Sequence, residues 1–273
     1  MHTWYWHTWQ DLPYLTCSLL EPWPHGFFSQ QFWPQTPEDL VAGLAAEAAV
    51  YRVKQVHGNA VLTSGQIRAY GADPAMASAR PEADAVISDD AEQSVWVCTA
   101  DCNPVLIADG RTGQVAAIHA GWRGTSLKVV PLTINRLIAG GSCLGDLSIA
   151  MGPAIAGEVY QVSISVAAAV GRTIAPDQAA LTDEALVRYL QTQENPAVLN
   201  DPEPGRVRLD VRRVNALQLE QLGIAPEQVA IAPHCTYQEP ERFFSYRRAR
   251  EKKVQWSGIV STKAQPTSTS VNA

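Results

Sequence analysis

VWVCTADCNPVLIADGRTGQVAAIHAGWRGT, residues 95–125, decides how this chain is read. VWVCTA is a run of β-branched and aromatic residues that ends at Asp101-Cys102. PVLIAD and QVAAIHA follow at close intervals, the second delivering His119 and stopped by Gly121. Short apolar runs punctuated by Asp, Gly and Pro read as strands buried on both faces. Asn103-Pro104 is expected to take the chain out of the ladder directly after Cys102, which puts that thiol at an edge or a cleft.

Working back from this stretch, AVYRVKQVHG (49–58) reads as another strand, and it delivers His57 just before Gly58. Two imidazoles and a thiolate from three strand ends compose a three-ligand zinc site with a fourth position left open, the pattern of a catalytic site. Each residue has a plainer explanation: a cysteine is often a small core hydrophobe, as Cys98 is expected to be, and a histidine is often a core group with one hydrogen bond. A metal-free alternative makes Cys102 a nucleophile with His119 as its base. Asp101 is the one carboxylate within the motif, so it is the candidate proton shuttle or the group that orients His119.

GWRGTS (121–126) turns tightly and opens a helix, so Arg123 and the backbone at Gly124 and Thr125 form a candidate anion site. In FFSYRR (243–248), Arg247 offers a fork for phosphate or carboxylate.

Forward and backward of these motifs, strands and helices mix without strict βαβ alternation. The expected class is α/β or α+β with mixed sheets, in one domain. Residues 1–24 read as an aromatic-rich arm, 25–263 as the domain and 264–273 as a polar tail. TPEDLVAGLAAEA (36–48) carries helix-start signals: Thr36 to cap, Pro37 at the first position, and Glu38 and Asp39 behind it. Residues 66–82 read as an Ala, Gly and Pro-rich loop. GTSLKVVPLTINRLIAGG reads as one helix kinked at Pro131. DEALVRYLQTQ and LDVRRVNALQLEQLG have helical spacing.

Composition bounds the function. The 273 residues are 46% hydrophobic and 18% charged, as a globular domain requires, and the net charge of −6 argues against nucleic-acid or membrane-surface binding. Five scattered cysteines without a CxxC pair do not make a disulfide framework, and the first residues lack a basic n-region and an apolar h-region. A cytoplasmic protein with a small-molecule substrate is expected.

KQVHGN, ADAVISD, TADCNPVLI, AIHAGWRGT, MGPAI and CTYQEPERFFSYRR, in this order, resemble the YfiH-like family, also called the laccase-domain, polyphenol oxidase or peptidoglycan-editing-factor family. The resemblance covers roughly residues 25–260. It implies a single layered α-β-β-α domain with mixed sheets and zinc bound by His57, Cys102 and His119, copper being the metal of the oxidase designation. It also implies purine nucleoside and phosphate as substrates: phosphorolysis of adenosine, inosine, guanosine or methylthioadenosine, and deamination of adenosine. Other activities given to the family are polyphenol oxidation and removal of wrongly built peptidoglycan precursors, and a non-catalytic metal-binding role is the reading of another class. A multicopper site needs many histidines, whereas this chain has six, two of them within the first seven residues. The chain departs from the family where FWPQTPEDL replaces a Gly-Gly-Val-Ser segment, in the missing cysteine of GPAIAGEVYQV, and where SYRRAREKKVQWSG replaces an Arg-Asp-Gly…Thr-Gly-Arg ending.

Overall fold

The computed structural model describes residues 2–264, apart from 73–75, 77, 78 and 179. Two six-stranded mixed sheets face each other. The first runs in the order Trp4–Trp9, Leu12–Cys17, His25–Phe28, Gln255–Val260, Gln93–Thr99, Ala49–Tyr51. The second runs Val229–Ile231, Leu147–Met151, Asn103–Asp109, Val115–Ala120, Ala85–Ile87, Val61–Thr63. Pairing is antiparallel within each sheet except at Ala49–Tyr51 and at both edges of the second, where it is parallel. A smaller antiparallel sheet, Gln161–Ser163, Arg206–Leu209 and Val198–Asn200, stands beside them. The mixed α/β class and the mixed sheets expected from the sequence are found. Among the described residues, no helix is long and apolar enough to cross a membrane.

Alternation along the strands sorts the core into layers. Val95 and Val97 meet Leu106, Ala108, Val115 and Ala117 between the two sheets. Val105, Ile107, Ala116 and Ile118 point the other way, onto the helices Val129–Ala139 and Val211–Gln221. On the outer face of the first sheet, Phe28 and Trp96 pack under the short helical turns at Phe32 and Leu40. Full burial of a side chain such as Leu106 contributes about 1.5–3 kcal/mol relative to exposure. His119 follows the parity of Val115 and Ala117, so the strand aims it at the seam between the sheets.

The structure moves several boundaries. Within the segment read as an aromatic-rich arm, Trp4–Trp9 and Leu12–Cys17 form a hairpin that extends the first sheet. The chain leaves the ladder at 100–102, one step before the expected break. Asn103 and Pro104 already pair with Ala120 and His119, Pro104 being tolerated as the second residue of its strand. Residues 100–102 therefore carry the chain from the first sheet to the second. AVYRVKQVHG is a strand only over Ala49–Tyr51. Within 66–82 a helix, Ser64–Gly71, replaces part of the expected loop, because Thr63 accepts the Gln66 amide at 3.2 Å and Gln66 accepts that of Thr63 at 3.0 Å; residues 73–75, 77 and 78 of that loop lie outside the described residues. The tail beyond Ala264 does so as well. The helix expected across Pro131 is two, Trp122–Ser126 and Val129–Ala139, broken at Lys128 with φ 58°. Pro131 has no N–H, so it fits the first turn of the second helix, where none is needed.

Candidate metal centre

Side-chain donor atoms of His57, Cys102 and His119 lie within 4.8 Å of one another, the one such group of three or more His, Cys, Asp or Glu among the described residues. The rings of His57 and His119 stand nearly perpendicular, at 81°, with centroids 4.8 Å apart. Ligands around a tetrahedral zinc are about 3.5 Å apart, so a closure of about an ångström brings the three onto one ion. The donor set fits a borderline-soft divalent metal with one position left open. His119 is buried, Cys102 half-buried and His57 exposed, so the group opens to solvent on the His57 side.

Asp84 organises this cluster. Its side chain is fully buried, and one oxygen takes the Nδ1–H of His119 at 2.8 Å, which turns Nε2 toward Cys102. The same carboxylate receives three consecutive backbone amides, Val56 at 3.2 Å, His57 at 2.9 Å and Gly58 at 2.6 Å. This nest winds the loop around a buried charge and holds His57 at φ 60°, outside the extended backbone that a strand reaching Gly58 would need. Burial pushes the Asp84 carboxyl up, but the His119 hydrogen bond and the Gly58 and Val56 amides outweigh it and hold its pKa below the usual value. Asp84 thus has the orienting position toward His119 that the sequence offered to Asp101. Its signal in ADAVISD was an acid between Ala83 and Ala85 at the head of an apolar run, where an unpaired carboxylate is costly.

Cys102 and His119 shift each other. Burial raises the thiol, yet the His119 charge and hydrogen bonds from His119 and His57 bring it down to about 6. Burial lowers the His119 imidazole, while the Cys102 thiolate and Asp84 raise it to about 9. The two opposed shifts favour a thiolate beside an imidazolium when no metal is bound. Gly121 makes room for this contact: a Cβ there would lie 2.7 Å from the Cys102 sulfur. Gly124 is also tightly placed, its Cβ position 3.0 Å from the Gly58 carbonyl oxygen by the same measure.

Asp101, at φ 93°, has both carboxylate oxygens engaged, one by the Thr236 hydroxyl at 2.7 Å and the other by the Arg247 amide at 2.7 Å. Its carbonyl accepts the Ile155 amide at 3.0 Å. Asp101 therefore ties three distant segments to the turn that carries Cys102. The Arg247 guanidinium lies 4.8 Å from the centre of the Tyr160 ring and donates to the Gln161 carbonyl at 2.8 Å. It also lines a cavity of about 350 Å³ with Gln161, Arg208 and Tyr237. Arg248 spends its guanidinium on the carbonyls of Thr236, Tyr237 and Phe243. Arg123 is exposed and stacks on Trp122 at 4.6 Å. Thr125 is buried, its hydroxyl on Asn215 at 3.2 Å and its amide on the Gly121 carbonyl at 2.8 Å, so its donors serve the fold.

Tyr160 was not singled out in the sequence. Burial and the charges of Cys102 and Asp101 push its hydroxyl up to about 12 against the pull of Arg247 and Arg123. It is the place where Cys102 and both candidate anion arginines act on one group. No local pattern marks it, because these partners come from separate parts of the chain.

The family described as multi-copper polyphenol oxidoreductase laccase matches residues 36–261. The chain is 54% identical over 259 residues to purine nucleoside phosphorylase slr1573 of a Synechocystis strain, covering 94% of this chain and 97% of that one. It is 28% identical over 154 residues to adenosine deaminase RL5 of an unknown prokaryotic organism, covering 56% of this chain and 52% of that one. The crystal structure of the Bacillus licheniformis hypothetical protein YfiH superposes with a TM-score of 0.73 at 25% identity, over 91% of this chain and 96% of that one. With its two facing sheets and a His-Cys-His cluster at their seam, the chain belongs to the laccase-domain, or YfiH-like, family.

Proposed function

We propose that this chain is a zinc-dependent purine nucleoside phosphorylase. The carrying observation is its 54% identity, across 94% of its length, to a protein of that name. His57, Cys102 and His119 would hold the ion, which supplies a Lewis-acid charge at its open position when bound. Asp84 fixes the tautomer of His119. Asp101, with one oxygen on the Thr236 hydroxyl and the other on the Arg247 amide, holds the Cys102 turn and Arg247 in place. Arg123 and Arg247 neutralise a phosphate oxyanion, and Tyr160, protonated at neutral pH, donates a hydrogen bond beside them. Phosphate oxygen forms a bond to the anomeric carbon as the bond to the base nitrogen breaks. The residues contribute positioning and charge stabilisation of an oxocarbenium-like state.

A second reading, adenosine deamination, is favoured by the partial likeness to adenosine deaminase RL5. A third, a Cys102 and His119 hydrolase, is favoured by the thiolate–imidazolium pair of the metal-free site. One assay separates them. Metal-replete protein is incubated with adenosine and with inosine, with and without phosphate and a chelator. Phosphate-dependent release of free base that a chelator abolishes is expected. Inosine formed from adenosine without phosphate identifies the deaminase, and turnover indifferent to chelator with covalent labelling of Cys102 identifies the hydrolase.

A further inference from the structure

The two facing sheets have four edges. Three are strands of three residues, Ala49–Tyr51, Val61–Thr63 and Val229–Ile231. The fourth, Trp4–Trp9, is six residues long and pairs with Leu12–Cys17 in unbroken register, so no bulge bends it. A long open edge is normally guarded by a charge, a proline, a bulge or a covering segment. WYWHTW contains no Asp, Glu, Lys, Arg or Pro, and none of its residues is buried.

The hairpin decides which backbone groups of this strand face out. The Ser18 amide donates to the Thr3 carbonyl at 2.9 Å, so Thr3 turns its main-chain groups toward the second strand. Alternation turns those of Tyr5, His7 and Trp9 the same way, and those of Trp4, Trp6 and Thr8 outward. Pro13, opposite Thr8, agrees with this: it has no N–H to give, and its carbonyl accepts the Ser29 amide on the far side at 3.4 Å. The N–H and C=O groups of Trp4, Trp6 and Thr8 thus line the edge, none with a hydrogen-bond partner among the described residues.

This arrangement is self-complementary. A second copy laid antiparallel about a twofold axis through Trp6 sets Trp6 opposite its own counterpart, and Trp4 opposite Thr8 on either side. Each of those pairs exchanges two hydrogen bonds, so every outward group of both copies is used. The axis keeps the inner faces of the two sheets level, and the contact closes, because one pairing consumes both edges. Charge favours the same occupant: each copy carries −6, so two copies meet with least repulsion along an edge without charged side chains. Apolar surface adjoins it, since Tyr5 is 49% exposed and Ile231, 41% exposed, lines a cavity of about 340 Å³ with Trp4.

We propose that the Trp4–Trp9 edge is a dimer interface, at which the six-stranded first sheets of two copies of this chain join into one continuous sheet. The pairing is independent of the reaction proposed above and requires neither metal nor Cys102.

Sedimentation equilibrium of the full chain tests it, with a concentration-dependent dimer as the expected result. Thr8→Pro removes one outward N–H from each copy and leaves the hairpin bonds in place. Its dissociation constant should be about thirtyfold higher, the size of two lost hydrogen bonds. Register is read by oxidative cross-linking in a Cys143→Ser background, which lacks the exposed thiol. Tyr5→Cys mixed with His7→Cys should cross-link, because the twofold sets position 5 opposite position 7. Either variant alone holds its two thiols on residues about 8 Å apart and should not. Tyr5 and His7 are exposed, so these variants keep their fold even where Thr8→Pro does not. A parent that stays monomeric overturns the proposal and leaves the edge to a strand of another protein. So does a dimer that a folded Thr8→Pro does not weaken, or one in which the mixed variants fail to cross-link.

Discussion

Asp84 and His119 share a hydrogen bond of 2.8 Å in full burial, and the same carboxylate gathers the amides that shape the His57 loop. One buried charge thus positions two of the three candidate ligands. Replacing Asp84 with Asn removes the charge while keeping the size. Metal affinity is expected to fall 10–100-fold, the usual effect of losing a partner behind a ligating histidine. Competition against a chromophoric chelator measures it, and an unchanged affinity would contradict the assigned role.

Gly121 is fixed by contact. Alanine there puts a carbon 2.7 Å from the Cys102 sulfur, so Gly121→Ala should displace the thiolate and lose stoichiometric metal while circular dichroism still reports the fold. Gly145, whose Cβ would meet nothing within 4 Å, is the control: Gly145→Ala should bind metal as the parent does.

Thiol reactivity tests the electrostatics of the metal-free centre. With its pKa near 6, Cys102 should alkylate with iodoacetamide at a rate that is half-maximal near pH 6 and flat above about pH 7. Cys98, which burial raises to about 11, should stay unmodified. Peptide mapping separates these from the exposed Cys143. Zinc added beforehand should protect Cys102; equal labelling with and without zinc argues that the thiol is not a ligand.

His25 makes stability depend on pH. Burial lowers its folded pKa from 6.5 to about 4, so between those values the unfolded chain takes up the proton and the folded chain does not. The contribution is complete above pH 6.5 and declines by about 3 kcal/mol as pH falls to 4. Urea unfolding of the parent and His25→Gln at pH 7, 5.5 and 4.5 should show a shallower acid loss in the variant. Parallel curves would mean that His25 is not the cause.

The sequence showed whatever local patterning controls. Strands 93–99, 103–109 and 115–120 are continuous apolar runs, and Cys102 and His119 were legible because each ends or precedes one. What it hid depends on groups far apart in the chain. The His57 segment looks like a strand, and only Asp84, drawing three of its amides, makes it a loop. The helix at Ser64–Gly71 was hidden by its Gly and Ala content although Thr63 and Gln66 carried its start signal. Lys128 at positive φ split a helix whose spacing looked continuous, since Pro131 can begin a helix as readily as bend one. Tyr160 belongs to the centre through Arg247, and no periodicity announces such a partner.

The three-residue passage 100–102 has a mechanical consequence. Cys102 sits where the backbone steps from one sheet to the other, His57 follows a strand of the first sheet and His119 closes a strand of the second. An ion gripped by all three would rivet the two layers across their common edge, and prising them apart would mean letting it go. Resistance to heat should therefore climb with the concentration of free metal, as mass action demands of anything that only the assembled sandwich can hold.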